Sequence, residues 1–140
     1  MRRLQLPVML VLLMACLLSS CAPSSALNLD GTSWELVSLA GADLIPGSRI
    51  TLAFAGDELN GIAGCNHYFA SYSLNGAGDL HISAMGMTAM ACLEPEGIME
   101  QEVTYANTLS AAVKAVCQGS QLRLQNAAGQ EILTFSAAPE

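Results

Sequence analysis

The chain has 140 residues and a formal net charge of −7, with twelve acidic residues against five Lys and Arg. This length allows one domain at most. The excess of acid argues against nucleic-acid binding, because affinity for phosphate backbones depends on Lys and Arg that neutralise them. The same charge gives the domain no attraction to anionic lipid headgroups.

The N-terminus has the pattern of a secretory signal peptide. Arg2 and Arg3 precede an apolar run over residues 6–18, which is shorter than the ~20 residues that a membrane-spanning helix needs. A basic start, a short apolar core and small residues before a cleavage point are typical of such peptides. We therefore expect residues 1–20 to be removed on export. The mature chain would then keep three cations against all twelve acidic residues, a net charge of −9.

The Leu-Ser-Ser-Cys sequence at residues 18–21 resembles a lipobox, in which Cys21 becomes the first mature residue and carries lipid. Residues 21–28 would then be a lipidated cysteine and a short tether. Each buried CH₂ of a lipid contributes about 0.8 kcal/mol, so the lipid would hold the protein on a membrane. By analogy with lipoprotein sorting rules, Ala22 in place of Asp predicts the outer membrane, with the domain facing the periplasm. The alternative is an ordinary signal peptide with a chance cysteine.

Alternating apolar residues predict strands through the first part of the domain. The clearest period-2 pattern lies at residues 50–54, where Ile, Leu and Phe alternate with Thr and Ala. The alternation at residues 34–39 places Trp34 and Leu36 on one face and Leu39 on the other. Further strands are predicted at 59–63, 67–74 and 80–84.

A change of period predicts one helix at residues 98–116. Its apolar residues recur at spacings of three and four, at Met99, Val103, Ala106, Leu109, Val113 and Val116. Four glutamates, including Glu102, crowd the first turns, where the helix dipole favours anions. Lys114 lies near the other end, where a cation is favourable, and Gly119 would end the helix.

A last hairpin is predicted at residues 122–124 and 131–135. Short turns favour antiparallel neighbours, and the apolar face of the sheet needs a cover. We therefore expect an α+β fold, with a small, strongly curved antiparallel sheet of about six to eight strands covered by one main helix. The domain would span residues 29–135 and be followed by a frayed tail at 136–140.

Residues 61–69 stand out by their turn-forming composition, since two glycines, a cysteine and an asparagine fall within six residues. Glycine serves where the backbone needs φ > 0 or passes close to another segment, and Asn also tolerates left-handed geometry. A tight turn or bulge between two strands is predicted there. A second marked stretch, Met-Thr-Ala-Met-Ala-Cys, follows at residues 87–92.

These two stretches resemble the signature motifs of the META domain, the type found in HslJ-like heat-shock lipoproteins. The motif residues are Gly64, Cys65 and Asn66 in the first stretch and Thr88, Met90, Ala91 and Cys92 in the second. Supporting matches are Trp34-Glu35-Leu36, Glu102 with Tyr105 and Leu109, and Leu122 with Leu124. The resemblance covers residues 29–135 and implies a small α+β domain, often at the bacterial cell envelope, with no established catalytic residues.

The resemblance also favours a disulfide between Cys65 and Cys92, because both lie in the motifs. Export to an oxidising compartment permits such a bond. The alternative is two reduced cysteines that serve as small core residues. Cys117 would be the odd cysteine, buried at the end of the helix.

Two groups of residues could form a metal site or a catalytic site, and each group also has an ordinary structural interpretation. The soft ligands that fall within residues 81–92 suit Cu(I), although methionine more often fills gaps in cores; they are His81, Met85, Met87, Met90 and Cys92. Cys65 and His67 would share a strand face, as a thiol nucleophile and its base would, but no third group orients the imidazole. No HExxH, P-loop or GxGxxG motif occurs. We predict no catalytic residue, metal or cofactor.

The sequence thus predicts a monomeric, lipid-anchored envelope protein of the META type. It would be a non-catalytic binding or structural module that contacts another envelope protein or a small ligand and supports stress tolerance. One alternative is an inhibitor of a secreted hydrolase, since the acidic surface suits a cationic enzyme such as a lysozyme. The other is a Cu(I)-binding envelope protein.

Overall fold

The computed structural model describes residues 26–139, so the predicted signal peptide and Cys21 lie outside the described residues. The strands are β1 Ser33–Leu39, β2 Thr51–Ala55, β3 Glu58–Ile62, β4 His67–Leu74, β5 Leu80–Ile82, β6 Gly86–Met87, β7 Lys114–Gln118, β8 Gln121–Gln125 and β9 Glu131–Ala137. The helix α1, Ile98–Ser110, lies between β6 and β7. Within residues 26–139, no helix is long and apolar enough to cross a bilayer.

All nine strands belong to one antiparallel sheet, in the order β5-β4-β3-β2-β1-β9-β8-β7, with β6 also paired to β4. The two ends of this order meet. Asp79 bridges Lys114, and the N–H of Leu80 donates to the carbonyl of Val113 at 2.9 Å. The sheet is therefore nearly closed into a barrel, which leaves few free strand edges.

The inward face of the barrel forms the core. Period-2 alternation predicts which residues point inward, and Leu52 and Phe54 of β2 are buried as expected. The helix α1 packs Tyr105 and Leu109 into the same core. The α+β class, the curvature and the single covering helix are confirmed for the described residues. The sheet has nine strands, one of them the two-residue β6, which is close to the six to eight expected.

The prediction for the first strand fails at its end. A bulge between Leu36 and Ser38 shifts the register of β1 against β9. Because an extra residue reverses the alternation of side chains, Leu39 turns inward and is buried, while Val37 stays on the outside.

The predicted helix is too long by six residues, and its face is shifted. Residues from Lys114 onwards form β7, which pairs along its whole length with β8. Beta-branched Val113 and Val116 favour a strand over a helix, and Gly119, at φ 58°, forms the turn into β8. Lys114 accordingly lies on a strand, where it pairs with Asp79.

The buried face of α1 follows the spacing i, i+3, i+4, i+7. Its buried residues are Ile98, Gln101, Glu102, Tyr105 and Leu109. Val103, predicted on the apolar face, is 59% exposed. At the C-terminus, β9 runs through Ala137, which pairs with Trp34. The first two residues of the predicted tail are therefore part of the sheet.

Gly61 of β3 provides a test of this packing. A Cβ atom there would lie 2.0 Å from the carbonyl oxygen of Thr51, which is backbone and cannot move without opening the β2–β3 hairpin. Overpacking of this kind costs about 1–3 kcal/mol or more. We expect Gly61→Ala to lower the free energy of unfolding by that amount in urea titrations. Asn60→Ala on the same strand is the control, and equal urea midpoints for the two variants would contradict the packing described.

Candidate functional site

The corner between β3 and β4 is the point where the two sequence motifs meet. The N–H of Ala63 donates to the carbonyl of Asn66 at 2.8 Å, which closes a tight connection. Gly64 takes φ 114°, a conformation that favours glycine. A Cβ at Gly64 would also lie 3.0 Å from Cδ1 of Ile98. The corner therefore needs glycine both for its backbone angle and for the close approach of α1.

The carboxylate of Glu102 holds this corner from the helix. Its Oε2 accepts the N–H of Asn66 at 2.6 Å and that of Cys65 at 3.2 Å, and its Oε1 accepts Nδ2–H of Asn66 at 2.7 Å. The residue is only 4% exposed. A buried charge is costly unless hydrogen bonds compensate it, and these three donors face it directly.

The side chain of Asn66 links the corner to the second motif. Its Nδ2 also donates to the carbonyl of Met90 at 3.0 Å. Its Oδ1 accepts the N–H of Met90 at 2.7 Å and the hydroxyl of Thr88 at 2.8 Å. An amide side chain can donate twice and accept twice, so Asn66 has no capacity left for a ligand.

A disulfide between Cys65 and Cys92 closes the same junction, with the two Cα atoms 5.9 Å apart. The predicted pairing is therefore confirmed. We call the set Cys65, Asn66, Thr88, Met90, Cys92 and Glu102 the corner clamp. The third described cysteine, Cys117, is free and partly buried, but it lies on β7 and not at the end of the helix.

A pair of tyrosines lies behind the clamp. The hydroxyls of Tyr68 and Tyr105 are 2.6 Å apart, and the Tyr68 hydroxyl donates to the carbonyl of Thr51 at 2.7 Å. Their rings meet edge to face with centroids 5.5 Å apart. Burial raises the pKa of both phenols well above its ordinary value. Both hydroxyls therefore remain neutral, and they tie α1 to β2 and β4.

The clamp offers little for catalysis. Cys65 is oxidised in the disulfide, so it supplies no thiolate nucleophile for His67 to activate. The oxygens of Glu102 face backbone and amide donors within the protein. Residues 26–139 contain no group of three or more His, Cys, Asp or Glu that could hold a metal ion. Cys92 likewise offers no thiolate to Cu(I), and Met85 and Met87 pack against the core.

The predicted motif residues are largely brought together. The corner clamp unites Cys65, Asn66, Thr88, Met90 and Cys92, and Gly64 gives the corner its shape. Ala91 is exposed between Met90 and Cys92. Glu102 was expected as a family match with Tyr105 and Leu109 and as an acid favoured by the helix dipole, but not as a residue that binds the corner. Its spacing from buried Tyr105 and Leu109, at i+3 and i+7, was the available signal.

Three exposed apolar side chains belong to the segments that meet at the clamp, since Phe69 follows the β3–β4 corner and Met90 and Leu93 lie in and just after the second motif. Phe69 is 55% exposed, Met90 52% and Leu93 87%. The ring of Phe69 lies over Gly86, where a Cβ would come within 2.5 Å of Cζ. Beside Phe69 is an open groove of ≈ 620 Å³ whose walls include Glu58 and Ile62. We call Phe69, Met90 and Leu93 the Phe69 patch.

The fold and the clamp define a class of small α+β domain, in which a nearly closed sheet is fastened to its helix by motif residues and a disulfide. The chain belongs to the META domain family, which matches residues 27–139. An NMR structure of a protein from Burkholderia xenovorans is 31% identical with a TM-score of 0.63, covering 80% of this chain and 85% of that chain.

A second protein solved by NMR shares the fold at 24% identity and a TM-score of 0.59, covering 77% of this chain and 90% of that one. No curated protein matches the chain. The family is thus established by the match over residues 27–139, and the two solved structures show the fold without naming an activity.

The buried carboxylate gives a direct test of the clamp. Glu102→Gln keeps the size of the side chain but sets an NH₂ group against N–H donors. Breaking a compensated buried charge costs about 3–5 kcal/mol, and the retained amide oxygen brings the expected loss to about 2–4 kcal/mol in the free energy of unfolding. Exposed Glu100→Gln, on the same turn, is expected to change it by about 0.5 kcal/mol or less. Equal effects in chemical denaturation would show that Glu102 is not a clamp residue.

Proposed function

We propose that this protein is a lipid-anchored envelope protein of the META type that acts as a non-catalytic binding or structural module and supports stress tolerance. The observation that carries the proposal is the corner clamp. The side chains of Asn66 and Glu102 form their hydrogen bonds with other groups of the protein. Cys65 and Cys92 are joined to each other. The motif residues therefore maintain the shape of the β3–β4 corner, and the surface beside them is the part that would bind a partner.

The Phe69 patch is the surface that suits a partner. Exposed apolar side chains that form a patch are typical of interaction sites, and these three lie on segments that the disulfide and Asn66 hold together. Acidic residues border the patch, with Glu58 in the groove beside Phe69 and the exposed Glu94 and Glu96 just after Leu93. The three cations of residues 26–139 are each engaged in an ion pair with an acid. The favoured partner is therefore an envelope protein with a basic surface and an apolar pocket.

One observation favours the second candidate, an inhibitor of a secreted hydrolase. Leu93 is 87% exposed and directly follows Cys92, which the disulfide fixes to the corner. A rigid loop with an exposed apolar side chain loses little conformational entropy when it binds a pocket. A cationic hydrolase would also match the acidic border of the patch.

Site-specific photocrosslinking in intact cells tests both candidates. A photoreactive residue at Phe69 and another at Leu93 should capture the same basic envelope protein. One at Val37 on β1, which is 45% exposed, should not capture it. Cys21→Ala should release the protein from the membrane fraction, because the lipid is the proposed anchor.

The identity of the captured protein separates the candidates. A cationic hydrolase whose activity falls when the two are mixed supports inhibition. A basic envelope protein without such activity supports the binding module. Equal capture from Val37, or none from Phe69 and Leu93, would contradict the patch, and membrane retention of Cys21→Ala would contradict the anchor.

A further inference from the structure

A second groove, of ≈ 440 Å³, lies where the described chain begins. Its walls come from three segments, at residues 26–28, 76–77 and 115–117, and most of these residues are small or apolar. None carries a charge. We call it the N-terminal groove. On a domain with an excess of acid, an uncharged apolar hollow at this position needs an explanation.

The chain is fixed to the rim of this groove. The N–H of Leu27 donates to the carbonyl of Gly76 at 3.0 Å. Ala26 also packs closely against Gly76, since a Cβ added at Gly76 would lie 2.8 Å from the Cβ of Ala26. Ala26 is the fifth residue after Cys21. Five residues span at most about 18 Å when fully extended, and the headgroup layer takes up part of that length. A lipid on Cys21 would therefore keep the groove close to the membrane surface.

Charged side chains near the groove are engaged in contacts of their own. Arg123, the cross-strand partner of Val116, pairs with Glu131 at 3.0 Å. Asp79, at the closure of the barrel, pairs with Lys114 at 2.9 Å. Asp30, two residues past Asn28, accepts the N–H of Gly56, which lies in the β2–β3 turn. An uncharged groove avoids the repulsion that acidic residues would meet at anionic headgroups.

The corner clamp lies at the opposite end of the molecule. β4 begins at His67, next to the clamp, and ends at Leu74, next to the turn that carries Gly76. Eight residues of a strand separate its ends by about 23 Å. With the groove on the membrane, the clamp and the Phe69 patch point away from it.

We infer that the N-terminal groove is a membrane-docking surface that rests on the phospholipid interface and orients the domain, with the Phe69 patch turned toward the periplasm. The inference rests on the proposed lipidation of Cys21. It adds a second contact to the anchor, because small apolar side chains and the stem of the tether can enter the interfacial layer. The domain is thereby held in one orientation, and free rotation about its tether is lost.

Depth-dependent quenching on the lipidated full-length protein tests this orientation. In a Cys117→Ser background, a bimane probe is attached at Ala77→Cys on the groove or at Glu100→Cys in the first turn of α1. The protein is placed in phosphatidylcholine vesicles that carry lipid brominated near the headgroup. Quenching at position 77 should exceed that at position 100 about threefold or more, because the two ends of the domain differ in height by about 20 Å.

A groove variant gives a second measurement. Val116→Asp places a charge in the groove and should bring the quenching at position 77 close to that at position 100. Val103→Asp on the exposed face of α1 is the matched control and should leave it unchanged. Circular dichroism melting confirms that each variant is folded.

The outcomes distinguish this inference from the proposed function. Equal quenching at positions 77 and 100, with Cys21 shown by mass spectrometry to carry lipid, would overturn the docking surface and leave the anchor standing. An unmodified Cys21, with protein that does not float with vesicles, would overturn both. If Val116→Asp is folded and leaves the quenching at position 77 unchanged, the groove is not the contact.

Discussion

The carboxylate of Glu102 is the constraint on which the rest of the domain depends. Glu102 is only 4% exposed, and its carboxylate accepts hydrogen bonds from the N–H groups of Cys65 and Asn66. Because a buried carboxylate is tolerated only with such compensation, the helix and the β3–β4 corner fix each other's position. The disulfide and the side chain of Asn66 extend the same junction to residues 88–92. The nearly closed sheet and its helix are thus fastened at one end of the barrel.

In the proposed function, the clamp maintains the shape of the domain and separate surfaces bind. The clamp is held by inward-facing side chains and by the backbone of Met90, whereas the side chains of the Phe69 patch, including that of Met90, and the N-terminal groove face outward near opposite ends of β4. Each described cation is paired with an acid. This excess of acid is the basis for the proposed basic partner and for the proposed contact of the uncharged groove with lipid.

Much of the fold follows from local sequence patterns. The alternation at residues 50–54 and 67–74 predicts β2 and β4 because one face of each is buried. Local patterns fail where pairing between distant strands decides the structure. The bulge in β1 turns the side chain of Leu39 to the inner face. Pairing with β8 makes residues 114–118 a strand, although their apolar spacing also fits a helix. The disulfide was implied by the motifs. Glu102 could not be assigned from its charge, since a glutamate at a helix start is ordinarily solvated and only its spacing from Tyr105 and Leu109 marks it as buried.

Native-state hydrogen exchange at the corner tests the central claim most directly. The amides of Cys65 and Asn66 bond to the side chain of Glu102 and not to a neighbouring strand, so their protection reports on the clamp itself. We predict that both exchange only through global unfolding, with the same free energy of opening as the amides of β4. Exchange as fast as that of Ala77 in its exposed turn, in protein with the disulfide intact, would contradict the account.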